Sequence, residues 1–441
     1  MKLVCQGISH FSDIYCTPKF GLSSRGEICF CNTNDGEPGR DKQRRFFLSI
    51  HKANDVTLQI PLPNPPAMIE GTLHEGISFL APQTVNDHIY LGLAPEWLYG
   101  HKGSIYCTKL DWAGKILWVK EFPAQPFEFA RVLITQTGRQ FILLVRDKTK
   151  SLVCLSDQGE VLWTLQEKWL SKLSPWMYLL PDECVLMTEP TTKPAPGGIL
   201  SKLYVINSDG KVIIKRNDFL RTAAQNNMDE NLFAYYFHQS PVCPPQQSLV
   251  YFAPYLPYWN YDMPLKLICD PQTIALYYPL TNKLEKKEFI VGEVEKFLWD
   301  EKQQILFTCT DKKQDDIARI DFQKGTIQYN TYHGNHDARG EPEPPYKEIS
   351  PNEQNNGNRR IIEPPIDYIH HCLPIMTEWG DVIFCHSGTS VVCMSPEWKE
   401  KWRIELSRGA CDMKLMGNLL FIMIYNEVEH SAQLHKFSLT G

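Results

Sequence analysis

The chain has 441 residues and a formal net charge of −6, with 22% charged and 12% aromatic residues. This composition is that of a globular protein and excludes a disordered chain, while the acidic balance argues against a broad nucleic-acid-binding face. No apolar run approaches the roughly 20 residues that span a bilayer and no signal-peptide core is visible, so we predict a cytoplasmic protein without membrane insertion.

Short, strongly apolar runs recur along the whole chain. They are EICFCN from Glu27, HIYLGLA from His88, QFILLVRD from Gln140, ECVLMTE from Glu183, SLVYFAP from Ser248, QILFTCT from Gln304, DVIFCHS from Asp381 and NLLFIMIY from Asn418. Their length and composition are typical of buried strands.

A hairpin-like pattern follows each run, with two alternating strands around a polar turn. The copies begin at Phe46, Ser104, Ser151, Lys202, Ala275, Ile317, Ser390 and Gln433. Gly114, Gly159, Gly210 and Gly325 hold the turn position, where a tight hairpin favours a positive φ. The copy at Ala275 has Asn282 there, and the copy at Ser390 replaces the glycine.

Repeats of about 40 to 50 residues with several short strands are typical of β-propeller blades. We therefore predict a single all-β domain over residues 1–441, an eight-bladed propeller with inserted loops at about 215–265 and 330–366. The last copy has only one strand, so we expect the N-terminal strand MKLVCQ to complete that blade and close the ring. A frayed tail is the alternative. A seven-bladed WD40-like propeller is the alternative fold, since the copies at Phe46 and Ala275 are weak.

A turn that contains Asp and Gly is followed by tryptophan from Asp111 to Trp118, with the spacing Asp-x-x-Gly, and from Asp157 to Trp163, with the spacing Asp-x-Gly, and a looser form ends at Trp402. This motif resembles the repeat of the PQQ-like propellers, the superfamily of the quinoprotein dehydrogenases and the outer-membrane assembly propeller lipoproteins. The resemblance implies an eight-bladed ring in which these three tryptophans pack between neighbouring blades. The chain lacks the adjacent cysteine pair of the quinoprotein enzymes, so we expect no cofactor and no dehydrogenase activity.

The segment 238–265 combines prolines with Tyr255, Tyr258, Trp259 and Tyr261. Proline interrupts strand pairing, and aromatic rings give a large contact area at low entropic cost. We predict that these four residues bind a partner; a local cap over a blade edge is the alternative. The polar segment 332–366 is predicted to be a long surface loop. The sequence is compatible with short helices near Asp229 and over residues 291–299.

The 14 cysteines are predicted to be reduced. Seven lie in strand-like runs, where a thiol acts as a small apolar residue: Cys29, Cys31, Cys107, Cys154, Cys309, Cys385 and Cys393. The most metal-like set comprises His333, His336, Asp337, His370, His371 and Cys372. Its spacing matches no zinc signature, and we assign no metal ligand.

No phosphate-binding loop, zinc-protease motif or nucleophile elbow occurs in the sequence. We therefore predict a non-catalytic scaffold that binds another protein within a larger assembly, with no catalytic or cofactor-binding residue assigned. Two alternatives remain: a hydrolase or lyase whose residues converge on the central channel, and a propeller that binds a small molecule or glycan.

Overall fold

The structure, a computed structural model, describes most of the chain. The described residues are 2–14, 19–33, 46–52, 56–62, 77–79, 82–95, 103–124, 129–146, 149–173, 177–189, 194–195, 198–221, 249–252, 272–278, 281, 283–289, 294–300, 302–310, 316–331, 372, 374–386, 390–407, 410–426 and 428–440.

The first half of the chain forms four antiparallel sheets, which we number in chain order. Sheet 1 contains β2 (Phe20–Leu22), β3 (Ile28–Thr33), β4 (Phe46–His51) and β5 (Thr57–Pro61). Sheet 2 contains β6 (Ile77–Phe79), β7 (Gln83–Val85), β8 (His88–Pro95), β9 (Gly103–Leu110) and β10 (Ile116–Ala124). Sheet 3 contains β11 (Phe129–Ile134), β12 (Gln140–Arg146), β13 (Thr149–Leu155) and β14 (Val161–Leu165). Sheet 4 contains β15 (Tyr178–Leu180), β16 (Cys184–Glu189), β17 (Pro194–Ala195), β18 (Gly198–Ile206) and β19 (Val212–Arg221).

The second half continues the series. Sheet 5 contains β20 (Leu249–Phe252), β21 (Gln272–Tyr278) and β22 (Lys283–Phe289); sheet 6 contains β23 (Val294–Asp300), β24 (Ile305–Thr310), β25 (Asp316–Asp321) and β26 (Thr326–Thr331). Sheet 7 contains β27 (Ile375–Met376), β28 (Val382–His386), β29 (Ser390–Met394) and β30 (Glu400–Glu405). Sheet 8 contains β31 (Ala410–Met416), β32 (Leu419–Asn426), β33 (Ser431–Thr440) and the first strand of the chain, β1 (Lys2–Phe11).

The two central strands of a sheet are buried on both faces. In β12, Ile142 and Leu144 pack with residues of sheet 2, while Phe141 and Leu143 pack with residues of sheet 4. Because side chains alternate along a strand, a continuous apolar run such as QFILLVRD supplies two cores at once. This explains why the central strands read as unbroken apolar runs.

Apolar clusters join most of the successive sheets along the chain. They lie between sheets 1 and 2, 2 and 3, 3 and 4, 6 and 7, and 7 and 8. A further cluster joins sheet 8 to sheet 1, where Phe20 and Phe30 pack with Phe421 and Met423. The core is therefore divided among the interfaces between sheets.

The first strand pairs with the last strand of the chain. β1 runs antiparallel to β33, with Lys2 opposite Thr440 and Phe11 opposite Ala432. The segment after β1 stays attached to sheet 8, because the Ile14 N–H donates to the His430 carbonyl at 2.7 Å. Within the described part of the chain, the N-terminal residues are thus a strand of sheet 8 rather than a free tail.

Other local expectations have mixed outcomes. A short helix was allowed over residues 291–299, but residues 294–299 belong to β23, whose Leu298 packs with the cluster between sheets 6 and 7, and residues 291–293 lie outside the described residues. Gly114, Gly159, Gly210 and Gly325 all have positive φ, as predicted. Six of the seven strand cysteines are buried, and the Cys309 side chain is not described. Asn282 and the residues near Asp229 lie outside the described residues.

Candidate functional site

The strands of each sheet end at two opposite sides, which we call its two edges, and these edges carry different kinds of connection. The connections into β3, β8, β12, β16, β24, β28 and β32, and those between the last two strands of sheets 1 to 7, lie at one edge, which we call the turn edge, and span at most five residues, as in 135–139 and 156–160. The other connections within a sheet and those leading to the next sheet start and end at the opposite edge, the loop edge. The strands that bound every longer connection end there, as they do for 222–248, 253–271 and 332–374.

The turns of sheets 1 to 4 contact one another, so their turn edges lie on one face of the molecule. The Ser24 hydroxyl donates to Asp87 at 3.0 Å, and the Asn86 amide donates to the Gln136 carbonyl at 3.2 Å. The Thr137 hydroxyl in turn donates to Glu183. The turn edge is therefore occupied by contacts that hold the sheets together.

Two predicted tryptophans lie against the turn of the following sheet. Trp118, on β10, donates its indole N–H to the Asp157 carbonyl at 2.9 Å, and its ring covers Gly159. Trp163, on β14, donates to the Ser208 carbonyl at 2.7 Å and covers Gly210. A β-carbon on Gly159 would lie 2.7 Å from Trp118 Cδ2, so the absence of a side chain allows the close approach.

The joint between sheets 2 and 3 centres on the Asp157 carboxylate. It accepts hydrogen bonds from the Lys109 ammonium at 2.6 Å and from the Tyr90 hydroxyl. Burial alone would raise the pKa of Asp157, but the hydrogen bonds from Lys109 and Tyr90 outweigh it and lower that pKa. Burial and the adjacent carboxylate raise the pKa of Tyr90. Sequence reasoning identified the turn but missed this ion pair, because Lys109 and Asp157 are 48 positions apart.

Sheet 7 departs from this arrangement at both of its interfaces. Trp402 packs into the cluster with sheet 8, but its buried indole N–H has no hydrogen-bond partner among the described residues. Trp398 occupies the missing glycine position with φ +62°, and its ring lies 6.0 Å from Phe307 of sheet 6. The tryptophan at this interface therefore extends from the turn back to the preceding sheet, opposite in direction to Trp118.

A buried carboxylate links the first strands of sheets 8 and 1. Asp412 accepts hydrogen bonds from the Phe20 and Met413 N–H groups, each at 2.9 Å. Burial raises the pKa of Asp412, an effect that Lys414 opposes. Because the Phe20 N–H belongs to β2, its bond to Asp412 fixes β31 against β2. Among the residues that the structure describes, no group of three or more metal-ligating side chains occurs, and Cys372 lies in the cluster between sheets 7 and 8.

The four aromatic residues predicted to bind a partner lie between β20 and β21, outside the described residues. Tyr255, Tyr258, Trp259 and Tyr261 belong to the connection 253–271, whose bounding strand ends lie at the loop edge of sheet 5. The residues His333, His336, Asp337, His370 and His371 likewise lie outside the described residues, in the connection 332–374. No helix in the described part of the chain is long and apolar enough to cross a membrane.

Neither a protein-family model nor a curated protein sequence matches the chain. Among solved structures, it resembles the Dos1 propeller with a TM-score of 0.56 and 10% identity, covering 100% of this chain and 96% of that one. Weaker likenesses are BamB from Moraxella catarrhalis (TM-score 0.46, 9% identity, 99% and 100% covered) and the C-terminal WD40 domain of Sif2 (0.47, 8%, 99% of each). The first comparison, together with the series of antiparallel sheets, confirms a β-propeller at the level of the fold.

Proposed function

We propose that this chain is a non-catalytic β-propeller scaffold that binds another protein at its loop edge. The observation that carries the proposal is the asymmetry of the two edges. The turn edge is engaged in contacts between sheets, such as Trp118 with Asp157, whereas every long connection leaves from the loop edge. Loops placed on a rigid sheet framework are where binding residues concentrate.

We further propose that the eight sheets are eight blades of one ring, with β1 completing the last blade. Support comes from the β1–β33 pairing and from the cluster and the Asp412 bonds that connect sheet 8 to sheet 1. Closure of this kind leaves no open interface at the end of the series, which gives the loop edge a fixed framework.

Within the loop edge, the connection 253–271 is the proposed contact. It carries Tyr255, Tyr258, Trp259 and Tyr261 within seven positions, and tyrosine and tryptophan are enriched among residues that dominate binding energy. The connection 222–248 also concentrates large aromatic residues, Phe233, Tyr235, Tyr236 and Phe237, but it contains no tryptophan. The proposed partner is therefore a protein surface with apolar pockets that accept such rings.

Affinity capture from the native host tests this proposal. The full chain is compared with a variant carrying Tyr258→Ala, Trp259→Ala and Tyr261→Ala, after both show the same thermal unfolding midpoint. Loss of one co-purifying protein from the variant supports docking through this connection. An unchanged set of partners rules it out as the interface. Absence of any partner with either chain favours the enzyme or small-molecule alternatives.

A matched control uses the polar connection in the same capture. Glu341→Ala, Glu343→Ala and Lys347→Ala change three residues of the connection 332–374. If binding depends on the aromatic connection, this variant retains the partner. Loss of the partner from the control alone would move the interface to the polar connection.

A further inference from the structure

Histidines gather around the first strand of the chain. Of the five histidine side chains that the structure describes, four lie on β1 or on residues beside it and beside the segment that follows it. They are His10 on β1, His435 on β33, His51 on β4, and His430, whose carbonyl accepts the Ile14 N–H. Histidine is the side chain type whose charge ordinarily changes between pH 5 and 8. The strand that completes sheet 8 is therefore the place in the fold to examine for an effect of pH.

The register of the β1–β33 pair places His10 and His435 on one face of sheet 8. Ile8 lies opposite His435, and His10 lies opposite Gln433. Alternate residues of a strand share a face, so the two imidazoles are diagonal neighbours on adjacent strands. The Gln433 amide oxygen accepts a hydrogen bond from His435 Nε2 at 3.3 Å, and the Phe437 ring lies 6.1 Å from the His435 ring. This face packs against sheet 7, because Phe437 belongs to the cluster between sheets 7 and 8.

The position of His435 disfavours its protonated form. Burial lowers the pKa of His435 below its ordinary value of 6.5, and the charge of His10 lowers it further. His10 is exposed and His435 is half-buried, so water screens part of the repulsion between them. A proton on His435 is therefore less favourable while β1 is paired than after β1 has moved away, because release removes both His10 and part of the burial.

The side of sheet 7 that packs against this face presents apolar rings, aliphatic groups and thiols. Trp402 and Ile404 of β30 pack there, together with three buried cysteines: Cys372, Cys385 and Cys393. Burial raises the pKa of Cys393 to about 12. The charged side chains of β30 are engaged elsewhere: Lys401 with Asp381 at 2.6 Å, Arg403 with Glu400 at 2.8 Å, and Glu405 with the Ser390 hydroxyl at 3.0 Å.

The opposite face of sheet 8 carries further cationic groups. The His51 ring bonds the Ser9 hydroxyl at 3.2 Å, and the Lys436 ammonium lies 5.6 Å from the centre of the Phe421 ring. The carboxylates nearest to the two imidazoles in sequence, Asp13 and Glu429, lie beyond the strand ends, and Asp13 accepts the Ser12 hydroxyl at 3.0 Å. Protons taken up by His10 and His435 therefore add positive charge to a part of sheet 8 that is already positive.

We propose that the β1–β33 pair is an acid-sensitive joint, in which positive charge on His10 and His435 loosens residues 8–11 of β1 from sheet 8 while the other sheets stay folded. This inference goes beyond the loop-edge scaffold function and does not depend on it, since β1 and the connection 253–271 belong to different sheets. Local release of this kind is drawn from the less stable parts of a fold. It also frees part of the edge of β33 for pairing with another strand.

The direction of the pH effect follows from proton uptake. When β1 is released, the pKa of His435 moves back toward its ordinary value of about 6.5, whereas it is lower in the paired state. The released state therefore binds more protons. The free energy that holds β1 in place is complete above about pH 6.5 and decreases as pH falls from there toward the pKa of the paired state.

Hydrogen exchange of the full chain at about pH 7.5 and about pH 5.5 tests this joint, after correction for the intrinsic pH dependence of exchange. We expect the protection of β1 amides to fall about three- to tenfold at the lower pH, while the amides of β12 keep theirs. His435→Gln removes the titrating group and should abolish this fall. His10→Gln should weaken it, because burial still lowers the pKa of His435 in that variant.

A matched control is His88→Gln on β8, where the imidazole Nδ1 lies 2.8 Å from the Asn86 carbonyl. This variant should show the same fall as the wild type, and equal thermal unfolding midpoints at about pH 7.5 verify the fold of all variants. Carbon-13 NMR titration gives a second measurement, in which the pKa of His435 should rise when His10→Gln is introduced.

Four results overturn the proposal. They are β1 protection that does not change with pH, an equal fall in His435→Gln, a pKa of His435 that ignores His10→Gln, and a loss of protection in β12 as large as that in β1.

Discussion

Asp157 shows how one turn residue connects two sheets. Its carboxylate binds Lys109 and Tyr90, and its carbonyl accepts the Trp118 indole N–H at 2.9 Å. The side chain of Lys109 is only 5% exposed, whereas that of Asp157 is 35% exposed. The Lys109 ammonium therefore loses more hydration on folding than the Asp157 carboxylate does, and the opposite charge of that carboxylate offsets the cost of burying it.

Replacing Asp157 with asparagine is expected to lower the free energy of unfolding by about 1–3 kcal/mol at neutral pH, because Lys109 loses its counter-charge. The folded-state pKa of Asp157 lies below its unfolded value. Its contribution is therefore complete above the unfolded value of about 4 and is lost as pH falls through the folded pKa. Urea unfolding of both proteins at pH 7 and about pH 3 measures this.

The difference in unfolding free energy between wild type and Asp157→Asn should shrink on acidification. Asp412 and Asp321 also have shifted pKa values, but both proteins contain them, so their effects cancel in the comparison. A difference that stays constant across this range would contradict the assigned ion pair.

At the level of elements, the turn between the third and fourth strands performs two tasks. It reverses the chain and receives the tryptophan of the preceding sheet, as Gly159 receives Trp118. At Gly325 only the first task is seen among the described residues, since a β-carbon there would have none of their heavy atoms within 4 Å. The two glycines have similar positive φ, +78° and +68°, which allows the tasks to be separated.

Gly159→Ala and Gly325→Ala form the matched pair. Both variants place alanine in the left-handed backbone region, which lowers the free energy of unfolding by about 1–2 kcal/mol. Only Gly159→Ala also displaces the Trp118 ring. We expect a total loss of about 2–4 kcal/mol for Gly159→Ala. Urea unfolding monitored by tryptophan fluorescence measures the free energy of unfolding of each variant. Equal losses for the two variants would show that the tryptophan contact adds nothing.

Period-two alternation with turn glycines was enough to predict the strands, because both signals are local. The eight apolar runs correspond to β3, β8, β12, β16, β20, β24, β28 and β32, and the copies from Phe46 to Ser390 form hairpins such as β13–β14. What the sequence does not show is the contact across sheets. The reversed tryptophan at Trp398 and the Lys109–Asp157 pair depend on three-dimensional neighbours far apart in the chain, and no local pattern records them.

At the scale of the whole molecule, β1 contributes to two interfaces. Leu3 packs with the cluster between sheets 7 and 8, and Phe11 belongs to the cluster between sheets 8 and 1. β1 also covers the edge of β33 along almost its full length. Its loss would expose an edge strand and open two cores together.

A chain lacking residues 1–11 is expected to unfold at a lower temperature and to aggregate more readily than the full chain. Adding a peptide of residues 1–11 in trans should raise the unfolding midpoint, since the peptide can pair with β33. A Phe11→Asp peptide is the control and should rescue less. An unfolding midpoint unchanged by the truncation would mean that β1 does not support sheet 8.

The pairing of β1 with β33 also sets an order of events during synthesis. About 420 residues separate the two strands, and at about 5–20 residues per second the ribosome needs roughly 20 to 80 s to produce them. Throughout that interval Leu3 lacks its native neighbours in sheets 7 and 8, and Phe11 has only those near it in sequence and in sheet 1, such as Phe30. β1 leaves the ribosome before the other described strands and is thus among the last of them to be paired, and a cell that makes this protein must keep this short segment from pairing elsewhere until β33 arrives.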